Sequence, residues 1–463
     1  MLKKIISLLV VTILCCSLFS VGVSAKVSTP TNTLKTNGNG GKTDVGMWYI
    51  TYNTKGIFIN NMGSGYPIKY KMLLPDGSYG ILESDNVEHI DFQIKNLAEA
   101  KVDFILFDLT NGGLFPDKNG KIQWNWMVEN AMLACERIAK WNDSHDWKLK
   151  YAVAVGCYQA IRDGKSIGEC AELQAEGVYK TFFTNKTYGG DDHYQVDGKP
   201  LLILHDWGEN VLTVPHGWNN YKGDRTYGDK FFVRNGQGGE KGTYGWHTRY
   251  GTVLDDEVEL LCPGQRTAGN SKANVPRDNG NAYLTGWEVV LNNTLPRIVM
   301  IASFNDYCEQ TGVWTADSSK CKGEFDEKWT DETGETNNSM YWDMTVEGIK
   351  LVRIANGELK GEWKSEWFNL GNGRPKRVSV NNSQTGDTNN TTSDGNTQTD
   401  GNTQTDGENN SQNTAIDKNT VKADKKDNSQ KTVGVVVLVI TGVVVLGGVA
   451  FTVIYILKQK KRG

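Results

Sequence analysis

The sequence predicts an α/β protein: a (β/α)8 TIM-like barrel, followed by a disordered linker and one C-terminal transmembrane helix. Within residues 44–375, short apolar runs alternate with segments of helical spacing, and this alternation indicates a parallel sheet. The length of this part suits one large barrel domain. Polar and aromatic residues follow the apolar runs, as they do at the C-terminal ends of barrel strands. A doubly wound open sheet is the alternative that the alternation leaves open.

The predicted strands are short apolar runs bounded by polar or turn residues. They cover residues 45–51, 102–109, 150–156, 201–205, 231–234, 257–261 and 298–303, and an eighth strand is placed around residues 244–248. The predicted helices repeat apolar residues at helical spacing, as Ile90, Ile94 and Leu97 do. They cover residues 88–100, 126–141, 166–182, 283–292 and 345–355.

The N-terminal segment has the pattern of a secretory signal peptide. A basic pair, Lys3 and Lys4, precedes an apolar stretch, and a small-residue cleavage site ends at Ala25. The signal peptide is therefore expected to be residues 1–25. Residues 26–43 are rich in Ser, Thr, Asn, Gly and Lys, and we expect a disordered lead-in there.

The C-terminal part predicts a membrane anchor. Residues 376–432 are mostly Asn, Thr, Asp, Gln, Gly and Ser; they cannot bury enough surface to offset chain entropy, so they form a low-complexity linker. Residues 433–457 are uncharged and long enough to cross a bilayer as a helix. The basic tail, residues 458–463, should stay cytoplasmic. We therefore expect a protein secreted via its signal peptide and anchored in the cell membrane, with the barrel domain, residues 44–375, extracellular.

Composition excludes several classes of function. The net charge is only −4, and no basic patch in the body indicates a nucleic-acid partner. The six histidines show no metalloprotease motif and the cysteines no zinc spacing, so neither a metal nor another cofactor is predicted. All 14 tryptophans lie between Trp48 and Trp367, where they fit core packing or stacking on sugars. No protein partner is evident.

The stretch that carries chemistry follows the last predicted strand. The apolar run ends at Ala302, and Asn305, Asp306 and Glu309 come next, beside aromatic residues. Carboxylates three residues apart on a first turn point the same way. One can donate a proton while the other stays ionised, which suits acid/base cleavage of a sugar bond. A loop with two solvated acids fits the same spacing.

The segment Ser-Phe-Asn-Asp-Tyr-Cys-Glu, residues 303–309, resembles the catalytic segment of glycoside hydrolase families 71 and 99. Family 71, the α-1,3-glucanases, typically has Trp-Asn-Asp-Tyr-Gly-Glu-Ser there, and family 99, the endo-α-mannosidases, has Asn-Glu-Trp-x-Glu-Gly-Thr. The residues that match are Asn305, Asp306, Tyr307 and Glu309 for family 71 and Thr311 for family 99. The residues that depart from both patterns are Phe304, Cys308 and Gln310.

This resemblance implies an endo-acting glycoside hydrolase that cleaves an α-linked glucan or mannan on a closed barrel. The pair would then act with Asp306 as general base and Glu309 as general acid. Family 71 enzymes invert the anomeric configuration, whereas family 99 enzymes retain it with help from the 2-hydroxyl of the substrate. Because Asp306 is one methylene shorter than the family 99 glutamate, we expect room for a water and hence inversion. The alternatives are a non-catalytic surface receptor that binds glycans on the same barrel, and a glycosyltransferase-associated protein.

Candidate substrate-binding residues come from the predicted strand tips, which gather at one face of a barrel. These residues carry the hydroxyls, amides, carboxylates and rings that can hold sugar hydroxyls. They are Tyr49, Tyr52, Asp108, Asn111, Tyr158, His205, Asp206, Trp207, Trp246, His247, Gln265, Asn305 and Tyr307. Each tip taken alone also fits ordinary loop polarity.

The cysteines leave the disulfide map open. An exported protein can form disulfides, and the pairs Cys157/Cys170 and Cys308/Cys321 have the same spacing, but Cys135 and Cys262 are also present. Cys135 lies on a predicted amphipathic helix, so it is expected in the core. Cys308 makes a cysteine–histidine hydrolase conceivable, but carboxylate neighbours raise the pKa of a thiol and weaken it as a nucleophile.

Overall fold

The computed structural model describes residues 42–53, 69–111, 114, 125–157, 164–205, 216–236, 243–245, 257–266, 275–321, 327–331 and 333–371. The strands are β1 Asp44–Ile50, β2 Lys71–Leu73, β3 Tyr79–Gly80, β4 Phe104–Leu109, β5 Lys150–Gly156, β6 Gln195–Val196, β7 Lys199–His205, β8 Phe232–Asn235, β9 Val258–Leu261, β10 Ile298–Ile301 and β11 Ala316–Asp317. The α-helices are α1 Val87–Glu99, α2 Trp126–Ser144, α3 Ile167–Val178, α4 His216–Asn219, α5 Asn281–Asn292 and α6 Met340–Ala355.

Parallel strands form the main sheet in the order β8-β7-β5-β4-β1-β10-β9, and the short β6 pairs antiparallel with β7. The first strand, β1, lies between β4, the next parallel strand in the chain, and β10, the last one. The other parallel neighbours also follow chain order, which is the circular order of a (β/α)8 barrel. A doubly wound sheet would instead reverse its order at a switch point.

Side chains from opposite ends of this sheet meet in one inner core, so the sheet is curled. The inner core includes Trp48 of β1, Leu106 of β4, Ala154 of β5, Ile203 of β7, Leu260 of β9 and Met300 of β10, with Phe232 of β8 packed against it. At β1, a Cβ on Gly46 would lie 2.3 Å from Cζ of Phe104. Glycine at this position leaves the space that the Phe104 ring fills.

The alternate side chains of the same strands point outward and pack against the helices. Met47, Phe107 and Val153 share a larger outer core with Leu97 of α1 and Ile349 of α6. Successive side chains of a strand point to opposite faces of the sheet, and here both faces are buried. The helices that cover the outer face start with side-chain caps, such as the Ser166–Glu169 capping box of α3, which satisfy backbone N–H groups of the first turn.

The structure confirms the first seven predicted strands and the predicted helices, with shifted ends. The helix predicted at 166–182 is α3 followed by a π-helical turn, Tyr179–Phe183. The helix predicted to start at Thr345 begins at Met340, because Met340 and the two aromatic residues after it are buried and extend the apolar face.

The eighth strand predicted at 244–248 is not a strand in its described part, residues 244–245. Tyr244 nevertheless lies beside β8, because its N–H donates to the carbonyl of Asn235 at 2.8 Å. Its carbonyl accepts from Nε1 of Trp48 at 2.8 Å, and its hydroxyl donates to Glu257 at 3.1 Å. These contacts to the inner core and to the residue before β9 take the place of ladder pairing. Residues 246–256 lie outside the described residues.

A small antiparallel sheet, in the order β11-β2-β3, is missing from the sequence prediction. It joins the segment that follows β1 to the segment that follows β10: Leu73 N donates to Thr315 O at 2.9 Å, and Nε1 of Trp314 donates to Leu73 O at 3.1 Å. Strands of two or three residues carry no periodic signal, so hydrophobic patterning could not detect them.

A buried ion-pair network joins α6 to the N-terminal ends of β1 and β4. Arg353 is 1% exposed and donates to Oδ2 of Asp103 at 2.5 Å and to Oε2 of Glu358 at 3.2 Å. Asp44 lies in the same network and accepts from the hydroxyl of Tyr194 at 2.7 Å. Burial, and next the charge of Asp103, raises the pKa of Asp44; burial also raises the pKa of Asp103, against the lowering effect of Arg353.

One of the two equally spaced cysteine pairs is bonded. Cys157, directly after β5, forms a disulfide with Cys170 of α3, so the disulfide fixes a strand tip to the helix that follows it. Cys135 and Cys308 are free and buried, and Cys262 and Cys321 are buried as well. The core position predicted for Cys135 is therefore confirmed.

The predicted signal peptide, linker, membrane span and basic tail lie outside the described residues, as does most of the lead-in. Among the helices that are described, none has both the length and the apolar character needed to cross a bilayer.

Candidate active site

β10 carries the chain to the C-terminal edge of the sheet, and the predicted acids follow it there. Beyond the strand, Phe304 N donates to the carbonyl of Trp48 on the neighbouring β1 at 2.8 Å. Ser303 N donates to Thr311 O at 2.8 Å, and Gly312 N donates to Asp306 O at 2.7 Å. These bonds close residues 306–312 into a compact turn, which we call the acid turn.

Asp306 is fully buried at the start of the acid turn. Its Oδ2 accepts from the hydroxyl of Tyr52 at 2.8 Å, and its Oδ1 accepts from Glu309 N at 3.0 Å. Its own N–H donates to Oγ of Ser303 at 3.0 Å. Burial raises the pKa of Asp306 to about 6, and the hydrogen bonds from Glu309 N and Tyr52 oppose this rise. The carboxyl group can therefore exchange its proton close to neutral pH.

Glu309 lies on the same turn and is only partly buried. Its N–H donates to Oδ1 of Asp306, and its carbonyl accepts from Arg266 N at 2.8 Å. The two acids therefore have different surroundings, one buried and one partly exposed. Two carboxyl groups in unlike environments can differ in pKa, which is the condition for one to act as acid and the other as base.

Asp108, at the end of β4, is a third carboxylate near this turn. It is buried and accepts from the N–H and the hydroxyl of Thr110, at 3.0 and 2.7 Å. Burial raises its pKa, and its charge contributes to the raised pKa of Asp306. The pKa of Tyr52 is raised by burial and then by the charges of Asp306, Cys308, Asp108 and Glu309. The Tyr52 hydroxyl therefore stays protonated, and it donates to one of these carboxyl groups, that of Asp306.

Three other predicted residues also lie at strand tips. His205 is the last residue of β7 and is partly buried, and Asn111 is exposed two residues beyond β4. Gln265 is buried and pairs with Val275 through two backbone hydrogen bonds, of 2.8 and 3.0 Å.

Three predicted substrate-binding residues are placed in the core. Tyr49 points to the outer face of β1, where it lies between Phe107 and Phe304, because its neighbour Trp48 points inward. Tyr307 is buried against Tyr70 and Trp329, and its hydroxyl donates to the carbonyl of Trp314.

Asn305 uses its side chain to join strand to helix. Its Oδ1 accepts from Ile50 N at 2.9 Å, and its Nδ2 donates to Ile50 O and to Gln93 of α1, both at 3.2 Å. For these three residues the structure shows packing and hydrogen bonds within the fold, and direct contact with substrate stays a prediction. The remaining predicted residues, Tyr158, Asp206, Trp207, Trp246 and His247, lie outside the described residues.

Two other chemistries find little support at this site. Burial, and then the charges of Asp306 and Glu309, raises the pKa of Cys308, which keeps it a thiol and weakens it as a nucleophile. Over the part of the chain that the structure describes, no group of three or more His, Cys, Asp and Glu side chains could hold a metal ion.

A surface cleft of about 350 Å³ lies away from the acid turn. It is lined by residues of α1 and α2, among them Phe92, Arg137 and Trp141. These helices cover the outer face of the sheet, so the cleft does not belong to the strand-tip site.

Sequence reasoning missed the groups that hold the acid turn in place. Ser303 accepts from the N–H of Asp306 three residues away, whereas Arg266 and Arg277 donate to this turn from distant parts of the chain. Arg266 follows a predicted strand, which is a weak signal, whereas nothing in the residues around Arg277 indicates a buried guanidinium.

Neither the models of protein families nor the curated proteins include a match to this chain. One similar solved structure is the GH99 endo-alpha-mannosidase from Bacteroides thetaiotaomicron in complex with BIS-TRIS-propane, with 14% sequence identity and a TM-score of 0.44 over 68% of this chain and 98% of that one. Another structure of the same enzyme has 14% identity and a TM-score of 0.42, over 67% of this chain and 97% of that one.

Proposed function

We propose that the protein is a cell-surface glycoside hydrolase that cleaves an α-linked glucan or mannan by endo attack. The observation that carries the proposal is the acid turn itself: Asp306 and Glu309 share one turn at the C-terminal end of β10, and the buried Asp306 has a pKa near 6. Acid/base cleavage of a glycosidic bond needs two carboxyl groups with different protonation states. A protein that only bound glycans would need no such pair.

In this proposal the curled sheet closes into a barrel. Asp306 activates water and Glu309 protonates the leaving oxygen, so the anomeric configuration inverts. The Cys157–Cys170 disulfide supports an oxidising, extracellular location for the barrel domain, with residues 433–457 as the membrane anchor.

The full-length protein, purified in detergent, should release reducing ends from an α-1,3-glucan or an α-mannan. Proton NMR of the first-formed product should show the β-anomer, because inversion of an α-linkage gives β. Binding of the glycan without release of reducing ends would instead indicate the receptor, and an α-anomer appearing first would contradict inversion. A variant with an exposed acid changed, Glu99→Gln, should behave as the wild type, because Glu99 lies on α1 away from the turn.

The pH dependence of the reaction should reflect Asp306. If Asp306 must be ionised to activate water, kcat/KM should fall as the pH drops through about 6, since protonation removes the base. The hydrogen bond from Tyr52 lowers the pKa of Asp306. The Tyr52→Phe variant should therefore lose activity at a higher pH than the wild type. A pH profile of kcat/KM that is the same for both proteins would exclude Asp306 as the titrating base.

A further inference from the structure

After β9, the described residues 262–266 and 275–277 lie against the acid turn, and we call these two stretches the strap. Two backbone hydrogen bonds, Gln265 N to Val275 O at 2.8 Å and Val275 N to Gln265 O at 3.0 Å, hold the two arms of the strap together. This pairing places Arg266 on one arm and Arg277 on the other. Both arginine side chains are buried.

The two arginines bind the backbone of the acid turn at four carbonyl groups. Arg277 donates through Nη2 to Gln310 O at 2.7 Å and to Gly312 O at 2.6 Å. Arg266 donates through its backbone N–H to Glu309 O at 2.8 Å and through Nη2 to Cys308 O at 3.3 Å. The backbone on both sides of the Glu309 side chain is therefore fixed by the strap.

Arg277 is an unusual choice for a purely structural contact. Among the described residues, no carboxylate forms an ion pair with Arg277. Its guanidinium lies instead over three aromatic rings: its Cζ is 4.4, 5.0 and 5.8 Å from the ring centroids of Tyr341, Trp329 and Tyr70. Ring faces offset part of the desolvation cost of a cation, but a buried charge without an opposite charge remains costly to the fold. Such a cost is typical of functional sites.

The conformation that Arg277 stabilises is itself unfavourable. Gln310 adopts a left-handed backbone conformation, with φ +60°, which is uncommon for residues other than glycine. Gly264 of the strap packs closely against Arg277: a Cβ at position 264 would lie only 2.5 Å from Cγ of Arg277, so a larger residue would displace the arginine. Glycine at 264 and arginine at 277 are therefore parts of one arrangement.

We propose that Arg277 is a positioning residue for Glu309, which acts by holding the carbonyls of Gln310 and Gly312 so that the Glu309 carboxyl keeps its place relative to Asp306. The inference rests on the proposed function, because it assigns Arg277 to the same acid/base pair. A general acid must stay within hydrogen-bond reach of the leaving oxygen, and misplacement of a catalytic group by about 1 Å can cost about a hundredfold in rate.

The test compares Arg277→Met, Arg277→Lys and Gly264→Ala in the full-length protein, with Arg353→Met as a buried arginine at the other end of the sheet. The measurements are kcat, KM, and amide hydrogen exchange of the segment 304–314. We expect Arg277→Met to lower kcat by about tenfold to a hundredfold with little change in KM, and to accelerate exchange in the acid turn. Arg277→Lys should show a smaller loss, and Gly264→Ala should change the same measurements in the same direction as Arg277→Met.

The control, Arg353→Met, should lower stability but leave kcat of the folded protein and exchange in the acid turn unchanged. Unchanged exchange in Arg277→Met and Gly264→Ala, or a loss confined to KM, would overturn the positioning role. If Arg277→Met does not fold, the other two variants decide the question by the same measurements. If the wild type hydrolyses no glycan, the proposed function fails, and exchange in the acid turn still shows whether Arg277 holds that turn.

Discussion

Replacing Asp306 by Asn or Glu309 by Gln should lower kcat by about a hundredfold or more, the range in which general acid and base groups contribute. An amide at position 306 could not accept a proton from water, and an amide at position 309 could not protonate the leaving oxygen. Both substitutions keep the size of the side chain, and the Oδ1 contact to Glu309 N can persist. The loss should therefore appear in the chemical step rather than in folding.

The double variant gives a sharper test of whether the two acids act together. Groups that function as a unit lose most of their effect when one is removed, so the combined loss should be much smaller than the product of the single losses. An exposed acid on another helix, Asp143→Asn, serves as control and should keep wild-type kcat. Wild-type turnover in Asp306→Asn would remove Asp306 from the mechanism, and losses that simply multiply would argue against a shared reaction step.

Arg353→Met should lower the free energy of unfolding by about 3–5 kcal/mol, the cost of leaving a buried charge without its partner. Arg353 donates to Asp103 and to the carbonyl of Lys101, both at 2.5 Å, and its charge lowers the pKa of both Asp103 and Asp44. Methionine fills similar space but leaves two buried carboxyl groups close to each other. Urea unfolding of the two proteins measures the difference.

The stability of Arg353→Met should also depend more strongly on pH than that of the wild type. The folded pKa of Asp44 and of Asp103 lies above the usual range, so their protonation favours the folded state. That contribution is complete below the pKa of an unfolded aspartate, about 3.9, and is lost as the pH rises through the folded pKa. Without Arg353 the folded pKa rises further, so the loss of stability should be larger at about pH 8 than at about pH 5.

A surface ion pair on the same helix provides the control for Arg353. Lys350 pairs with Glu347 at 3.0 Å, and the lysine side chain is 54% exposed. Lys350→Met should change stability by no more than about 1 kcal/mol, since water screens such pairs. If Lys350→Met and Arg353→Met lower the free energy of unfolding equally, the burial of the Arg353 network contributes nothing to stability.

Much of the fold could be predicted because the strands and helices leave local signals. The continuous apolar runs at β4 and β5 and the helical spacing of Ile90, Ile94 and Leu97 identified elements that the structure confirms. The short β2, β3 and β11 have no such signal. The conformation of residues 243–245 is even harder to predict from the sequence, because their contacts are to Trp48, Asn235 and Glu257, which lie in other parts of the chain.

The candidate site shows the same division. The spacing of Asp306 and Glu309 in the sequence predicts that both acids follow one strand, and the structure shows them on one turn. Tyr52, another predicted site residue, donates to Asp306. Tyr49 is predicted at the site, whereas in the structure it packs in the outer core, and every residue of β1 is buried. When both faces of a strand are apolar, the sequence does not reveal which side chain points inward.

By itself the sequence determined the alternation of strands and helices, the acid pair and its resemblance to known hydrolases, because these depend on residues close together in the chain. Only the tertiary structure decided which strands are neighbours, which cysteines are bonded, and that Arg266 and Arg277 hold the acid turn. The pKa of Asp306 was also beyond the sequence, because it depends on burial and on Asp108 and Tyr52. Contacts between distant residues create these features, and no local pattern records them.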